Sequence, residues 1–290
     1  MLATVFLLGL IYVIAIGVLI AVHVSAILIL VIAGGFFLIQ YFASDRIALF
    51  AVGGRIVTPE EAPELHGIID RLCALADMPK PVVAIADSDI PNAFATGRSP
   101  KRAVVCATTG IMRRLDTDEL EGVLAHELSH VAHRDVIVMT IASFLGVLAG
   151  LVTRFAFYSE LFGGNRRNNN NDNSAGLVAV VLVVSGAVYA LSFVLIRTLS
   201  RYRELAADRA GAMLTGRPSA LASALVKVTG DMGRIPTSDL RKVEPVNAFF
   251  FTPALAPGSH SVASLFSTHP SLEKRLENLG SIARELGQPV

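Results

Sequence analysis

The first 42 positions contain no Asp, Glu, Lys or Arg. A helix needs about 20 residues to cross a hydrocarbon core, so this stretch is long enough for two crossings. His23 and Ser25 interrupt it near the middle, placing a hairpin tip at 22–25 and spans near 3–21 and 25–42. One long tilted span is the alternative. A cleaved leader fits less well, since the start carries no basic segment and no small-residue cleavage site before a polar mature chain. A second apolar pair follows later, at 136–152 (interrupted by Arg154 and extended by 155–158) and at 175–196. Between them runs a polar loop, 159–174, with Gly163-Gly164, Arg166-Arg167 and a run of asparagines. Composition agrees: 53% of the 290 residues are hydrophobic and 17% charged, with a mean hydropathy of +0.58, which is too apolar for an ordinary soluble protein.

The chain therefore divides into an N-terminal membrane hairpin (1–42), a soluble part (43–135), a second hairpin (136–196) and a second soluble part (197–290). In the first soluble part Thr58-Pro59-Glu60-Glu61 reads as a helix start, with Thr58 as N-cap and Pro59 at the first position. Leu65, Ile68, Ile69, Leu72 and Leu75 give that helix an apolar face. Residues 82–86 and 103–107 are short β-branched runs that read as strands, and Asn92-Ala93-Phe94-Ala95-Thr96-Gly97 is a third candidate. In the second part, helices are expected over 200–214, 218–228 and 271–286, the last amphipathic through Leu272, Leu276 and Leu279; residues 231–268 read as irregular.

The chemistry is carried by His126-Glu127-Leu128-Ser129-His130. Positions four apart on a helix project from one face, so the two imidazoles aim at one point, as zinc requires. Glu127 stands one step round the helix, placed to take a proton from an activated water. The helix itself is well specified. Asp116 and Glu119 form the pattern of a capping box, and Leu120, Val123, Leu124, Leu128 and Val131 follow at spacings of three and four. A chance pair of surface histidines is the bland reading.

A zinc site needs a third ligand. Glu204 is the best candidate, in Ser200-Arg201-Tyr202-Arg203-Glu204-Leu205-Ala206-Ala207-Asp208. Glu204 and Asp208 share a face, so one can bind the ion while the other accepts a hydrogen bond from a ligand histidine and fixes its tautomer. In isolation this spacing reads as solvated ion pairs; here the second hairpin returns it beside the motif. His133 competes for the ion but stands a turn further along. His23 falls in the turn of the first hairpin, His66 reads as a surface residue, and His260 sits in a loop without a partner. His269, in Ser267-Thr268-His269-Pro270, is either a donor to a developing oxyanion or simply a helix-start histidine. The two cysteines, Cys73 and Cys106, make no framework and read as small buried residues.

Taken together, the apolar N-terminal pair, Asn92–Gly97, His126–His130, the second hairpin, Ser200–Asp208 and Ser267–Pro270 resemble the HtpX family of membrane zinc metallopeptidases, more distantly related to the CAAX prenyl proteases. The resemblance covers nearly the whole chain. It implies a mostly α membrane protein, with about four transmembrane helices and an α+β gluzincin-like peptidase domain holding a small sheet. It implies one zinc ion per chain on His126, His130 and Glu204, Glu127 as general base and His269 close to the active site. It further implies that the strand at Asn92 and Ala93 resembles the substrate-binding edge, with Asn92 bonding the substrate backbone. Protein or peptide substrates, and proteolytic quality control of misfolded membrane proteins, follow from the same resemblance.

The function expected is thus a membrane-bound zinc endopeptidase. An intramembrane protease would carry its motif inside an apolar span, whereas this one follows Arg113, Arg114, Asp116, Asp118, Glu119 and Glu121. A catalytically silent scaffold stabilised by zinc is the rival from another class, and it has no use for Glu127. A metal transporter would want polar residues within the spans. The net charge of +1 and the lack of a basic patch interleaved with aromatics give no case for nucleic acid. Lys and Arg near span ends set orientation: Arg46, Arg55, Arg134, Arg197, Arg201, Arg203 and Arg209 lie on the soluble side, against Arg154, Arg166 and Arg167 on the other. The catalytic portion is expected to face the cytoplasm from the cell (inner) membrane. A reporter enzyme fused at Asn170 should accordingly be silent in a cytoplasmic assay; a cytoplasmic signal there would reverse the topology.

Overall fold

The structure, a computed structural model, describes residues 49–97, 99–135, 138–139, 173–235, 251 and 268–288, with isolated positions before 49; side chains of 173–192 are described at only a few positions. The elements run β1 (Gly54–Ile56), α1 (Pro63–Leu75), β2 (Val82–Ala86), β3 (Ala93–Thr96), β4 (Val104–Thr108), α2 (Thr109–Arg114), α3 (Thr117–Ala132), α4 (Asn173–Thr215), α5 (Pro218–Met232) and α6 (Leu272–Glu285). The spans expected at 3–21, 25–42 and 136–152 and the loop at 159–172 lie outside the described residues. The fourth, 175–196, falls on α4. Among the described residues no helix is long and apolar enough to cross a membrane.

The strands form one mixed sheet in the order β1-β2-β4-β3. β1 pairs antiparallel with β2, β2 parallel with β4, and β3 antiparallel with β4. β4 is buried at every position, as expected of a central strand covered on both faces. On one face Val83, Val105 and Ala107 join Leu65, Ile69 and Leu72 of α1 and Leu124 and Leu128 of α3 in the main core. On the other, Ala84, Phe94, Val104 and Cys106 pack with Leu49 and Val52. Among the described residues β3 is an edge strand next to α3, and this puts its outer side beside the histidine motif.

The sequence reading places the start of the first soluble helix at Thr58, and the structure corrects it to Pro63. Pro63 has no N–H to give to a carbonyl one turn earlier, so a helix begun at Pro59 would be broken there. The chain instead makes a turn, with the Glu61 and Ala62 N–H groups on the Thr58 carbonyl and the Glu61 carboxylate on the Thr58 N–H at 2.8 Å. The three-residue β1 was not anticipated, being too short to show alternation. His66, read as a surface residue, is buried, with its Nε2 3.1 Å from the Val57 carbonyl oxygen. α3 meets expectation: Asp116 accepts from the Glu119 N–H while Glu119 accepts from the Asp116 N–H.

α3 packs chiefly against α4 and α5, and against β3. The crossing with α4 is close because Gly211 faces the backbone of α3. A Cβ added at Gly211 would stand 2.8 Å from the His126 nitrogen and 3.1 Å from its Cα. Ala207 and Ala212, both buried, keep the same seam thin, and α6 closes against α4 and α5 through Leu279 and Ile282. Gly211→Ala should therefore lower stability by about 1–3 kcal/mol through overpacking, measured as a fall in the denaturation midpoint; an unchanged midpoint would show that the seam can open.

Candidate metal centre

Three side chains from two helices converge. His126 and His130 come from α3 and Glu204 from α4, and one ligand-type atom of each lies within 4.8 Å of the others. The two Nε2 atoms are 3.3 Å apart, with the rings edge to face. Glu204 Oε1 is 3.4 Å from His130 Nε2, and Oε2 is 3.9 Å from His126 Nε2.

The opposite nitrogens explain why the rings stand this way. His126 Nδ1 is 2.9 Å from Asp208 Oδ1, and His130 Nδ1 is 2.6 Å from Asp135 Oδ2. Each carboxylate can only accept, so each Nδ1 carries a proton and each ring turns its Nε2 toward the other and toward Glu204. A proton on His130 Nε2 fills the space between the two nitrogens at 3.3 Å, and a metal cation in its place would be met by both. Two nitrogens each about 2.0–2.1 Å from a tetrahedral ion would stand about 3.3–3.4 Å apart. Two imidazoles and a carboxylate, with one position left open, are also the donor set of catalytic zinc sites. The residues present fit the ion.

The electrostatics carry the same message. Burial alone would lower His130, but hydrogen bonds to Asp135 and Glu204, aided by the charges of Glu204 and Glu127, outweigh it and hold the ring up to about 10. Burial dominates at His126 and lowers it. Burial also works against the Glu204 carboxylate, yet His269 and His130 keep it well below the usual carboxylate range. The site is thus a buried pocket of negative charge that calls for one cation.

Glu127 is buried and pushed up to about 7, first by desolvation and further by Glu204, with His130 opposing. Its Oε2 accepts the Ala95 N–H at 3.1 Å. His269 sits against Glu204, Nδ1 to Oε2 at 2.9 Å. His133 is outside the cluster; it ends α3 with its Nδ1 2.7 Å from the Ser129 carbonyl. His23 and His260 lie outside the described residues.

The expected substrate strand is β3. Thr108 N–H donates to the Asn92 carbonyl, so the Asn92 main chain faces β4, and the alternation of an antiparallel ladder turns Ala93 and Ala95 to the open edge. The Ala95 N–H on Glu127 is in that phase. The Asn92 side chain is engaged inside: it is 3% exposed, and its Oδ1 accepts the Phe251 N–H at 2.9 Å.

A model of peptidase family M48 matches residues 59–283. The chain belongs to that family. It is 63% identical over 287 residues to "Protease HtpX homolog 1" of Streptomyces coelicolor, covering 98% of this chain and 92% of the relative. It is 50% identical over 286 residues to "Protease HtpX homolog 2" of Methanosarcina acetivorans, covering 99% of this chain and 95% of that one. The crystal structure of S. mikatae Ste24p shares the fold, with a TM-score of 0.53 at 21% identity over 86% of this chain; the chain spans 57% of that protein. The HtpX resemblance and the reading as a metalloendopeptidase are met.

Three members of the site escaped the sequence. Asp135 follows His130 by five positions, beyond the end of α3, and reaches back because Arg134 adopts a left-handed backbone at φ 54°. The signal was there, since a ligand imidazole needs a partner for its other nitrogen. Arg203 stands behind Asp135, its guanidinium 2.6 Å from Oδ2. Arg275 stands behind Asp208 and was not singled out in the sequence; its spacing to Leu279 and Ile282 places it on their buried face. Since a side chain at Arg134 pays for that backbone with steric strain, Arg134→Gly should leave stability unchanged or raise it by about 0.5–1 kcal/mol. Arg134→Val should lower it; equal denaturation midpoints for the two would remove the strained turn from the account.

Proposed function

We propose that this chain is a membrane-bound zinc endopeptidase that cuts extended segments of protein substrates at the bilayer surface. The observation that carries the reading is the convergence of two histidine Nε2 atoms 3.3 Å apart, each ring tied from behind to an aspartate, with Glu204 alongside. His126, His130 and Glu204 would hold the ion, and Asp208 and Asp135 would fix the two imidazole tautomers. When bound, zinc supplies Lewis acidity, polarising a scissile carbonyl and acidifying water.

The remaining steps belong to the protein's own groups. An extended peptide adds to the open side of β3 through main-chain hydrogen bonds, Ala93 being turned that way. Glu127 accepts the proton of the attacking water and returns it to the leaving amine. Its place beside His126 on α3, with Oε2 turned to the Ala95 N–H of the substrate strand, suits it to both tasks. His269 holds Glu204 through Oε2 at 2.9 Å, and in this reading it serves the developing oxyanion.

The membrane setting is supported by the uncharged first 42 residues and the uncharged run at 175–196 that leads into the helix bearing Glu204. In this reading residues 1–42 and 136–196 are membrane hairpins, 43–135 and 197–290 form the catalytic portion, and that portion faces the cytoplasm. Substrates tethered to or misfolded in the membrane would then be within reach, which suits a quality-control protease. A silent scaffold is disfavoured by Glu127, a buried base that a structural ion would not need.

Casein cleavage by the purified zinc-loaded protein tests this. Glu127→Gln should lose about 100- to 10,000-fold in kcat while keeping its zinc, and Glu204→Gln should lose the ion by elemental analysis. Equal activity of Glu127→Gln and wild type would overturn the mechanism.

A further inference from the structure

Behind the metal centre runs a chain of buried polar contacts that neither the motif nor the proposed reaction accounts for. It begins at Arg275 on α6, which is 2% exposed. Its Nε donates to Asp208 Oδ2 at 2.9 Å and its Nη2 to Oδ1 at 2.6 Å, a two-pronged grip. Asp208 Oδ1 is the atom that meets His126 Nδ1. The third prong, Nη1, donates to the Phe251 carbonyl at 3.0 Å, and the Phe251 N–H donates to Asn92 Oδ1. The Phe251 ring stands edge-on to His126 with centroids 5.2 Å apart, and the Arg275 guanidinium lies 4.9 Å from the centre of that ring.

We infer that Arg275, Phe251 and Asn92 are positioning residues for the His126 ligand, forming with Asp208 a relay that ties strand β3 to the metal centre. The inference rests on the centre proposed above. Three physical points carry it. First, burying an arginine and an aspartate together is a poor route to stability, because desolvation offsets most of their attraction. Here the fork leaves Asp208 with an oxygen aimed at His126, which a plain ion pair would not require. Second, Arg275 Nη2 and His126 Nδ1 are 3.5 Å apart; both are donors, so they cannot bond each other and both point at the same aspartate oxygen. The imidazole is thereby held with its Nδ1 protonated and its Nε2 turned to the ion. Third, both main-chain groups of Phe251 are held, its N–H by Asn92 and its carbonyl by Arg275, so its ring is fixed against His126. Accepting from a substrate N–H in that direction would require the Asn92 oxygen to leave Phe251; its NH2 remains a donor.

The two roles of Asn92 separate cleanly by experiment. Zinc affinity is measured by competition with a chromophoric chelator, the ligand geometry by the visible spectrum of the cobalt-substituted protein, and kcat and KM on a fluorogenic peptide. Arg275→Gln should weaken zinc about 10- to 100-fold, the size seen when an outer partner of a ligand is lost, and shift the cobalt bands. Arg275→Lys, which keeps the charge without the fork, should recover part of the affinity. Asn92→Ala removes no charge and so carries the test if the Arg275 variants do not fold. It should shift the cobalt bands, weaken zinc and lower kcat with KM little changed. A raised KM with wild-type zinc affinity and an unshifted spectrum would make Asn92 a substrate residue and overturn the relay. Loss of Arg275 with falling stability but unaltered zinc affinity would also overturn it. Zinc retained by His126→Ala would instead overturn the centre proposed above, and would do so before any variant of the relay is made.

Discussion

The arrangement of this domain depends on the hydrogen bond that each ligand histidine makes away from the metal. An imidazole on a helix can turn about two bonds, and nothing in an H-E-x-x-H spacing decides which nitrogen faces inward. Asp208 and Asp135 decide it, and they do so from different places: one on the helix that also brings Glu204, the other on the turn after α3. Each aspartate is in turn gripped by an arginine, Arg275 and Arg203 respectively. The centre is a pair of Arg–Asp–His lines meeting at one point, and α3, α4 and α6 have to stand where they do for those lines to close.

Packing makes that convergence possible. The seam of Ala207, Gly211 and Ala212 lets α4 lie against the backbone of α3 at His126. A thicker seam would carry Glu204 away from the imidazoles, a movement its short side chain could not recover. The sheet contributes on the other side, since β3 lies against α3 closely enough for Glu127 to meet the Ala95 N–H. The proton-transfer group and the open strand are in this way part of one surface.

What could be read in the chain beforehand was what is local. The capping box of α3, the strands over β2 and β3, and the helix start at Ser271 are each decided within a few residues, and the structure has them. Glu204 and Asp208 were legible because their spacing puts both on one face. Asp135 was not, because its reach depends on a left-handed residue at Arg134, a conformation no sequence pattern announces in arginine. Arg275 was missed for a different reason: a charged residue on an amphipathic helix is ordinarily solvated, and only the position of Asp208 across the core makes its burial sensible. Pro63 was visible throughout, and its missing N–H should have displaced the first helix. The bond from the Phe251 N–H to the Asn92 amide joins residues more than 150 positions apart, which no local pattern could announce.

α4 is unbroken from Asn173 to Thr215, about 64 Å at the rise of an α-helix, and it carries Glu204 and Asp208 on the same rod. Moving that rod along its axis by one residue would turn it by about 100°. Glu204 would leave the pocket, and in the same motion Asp208 would leave His126. The site can therefore lose its third donor and the support of its first only together. A shift of α4 as a unit thus acts at once on a proposed ligand and on the partner that orients another.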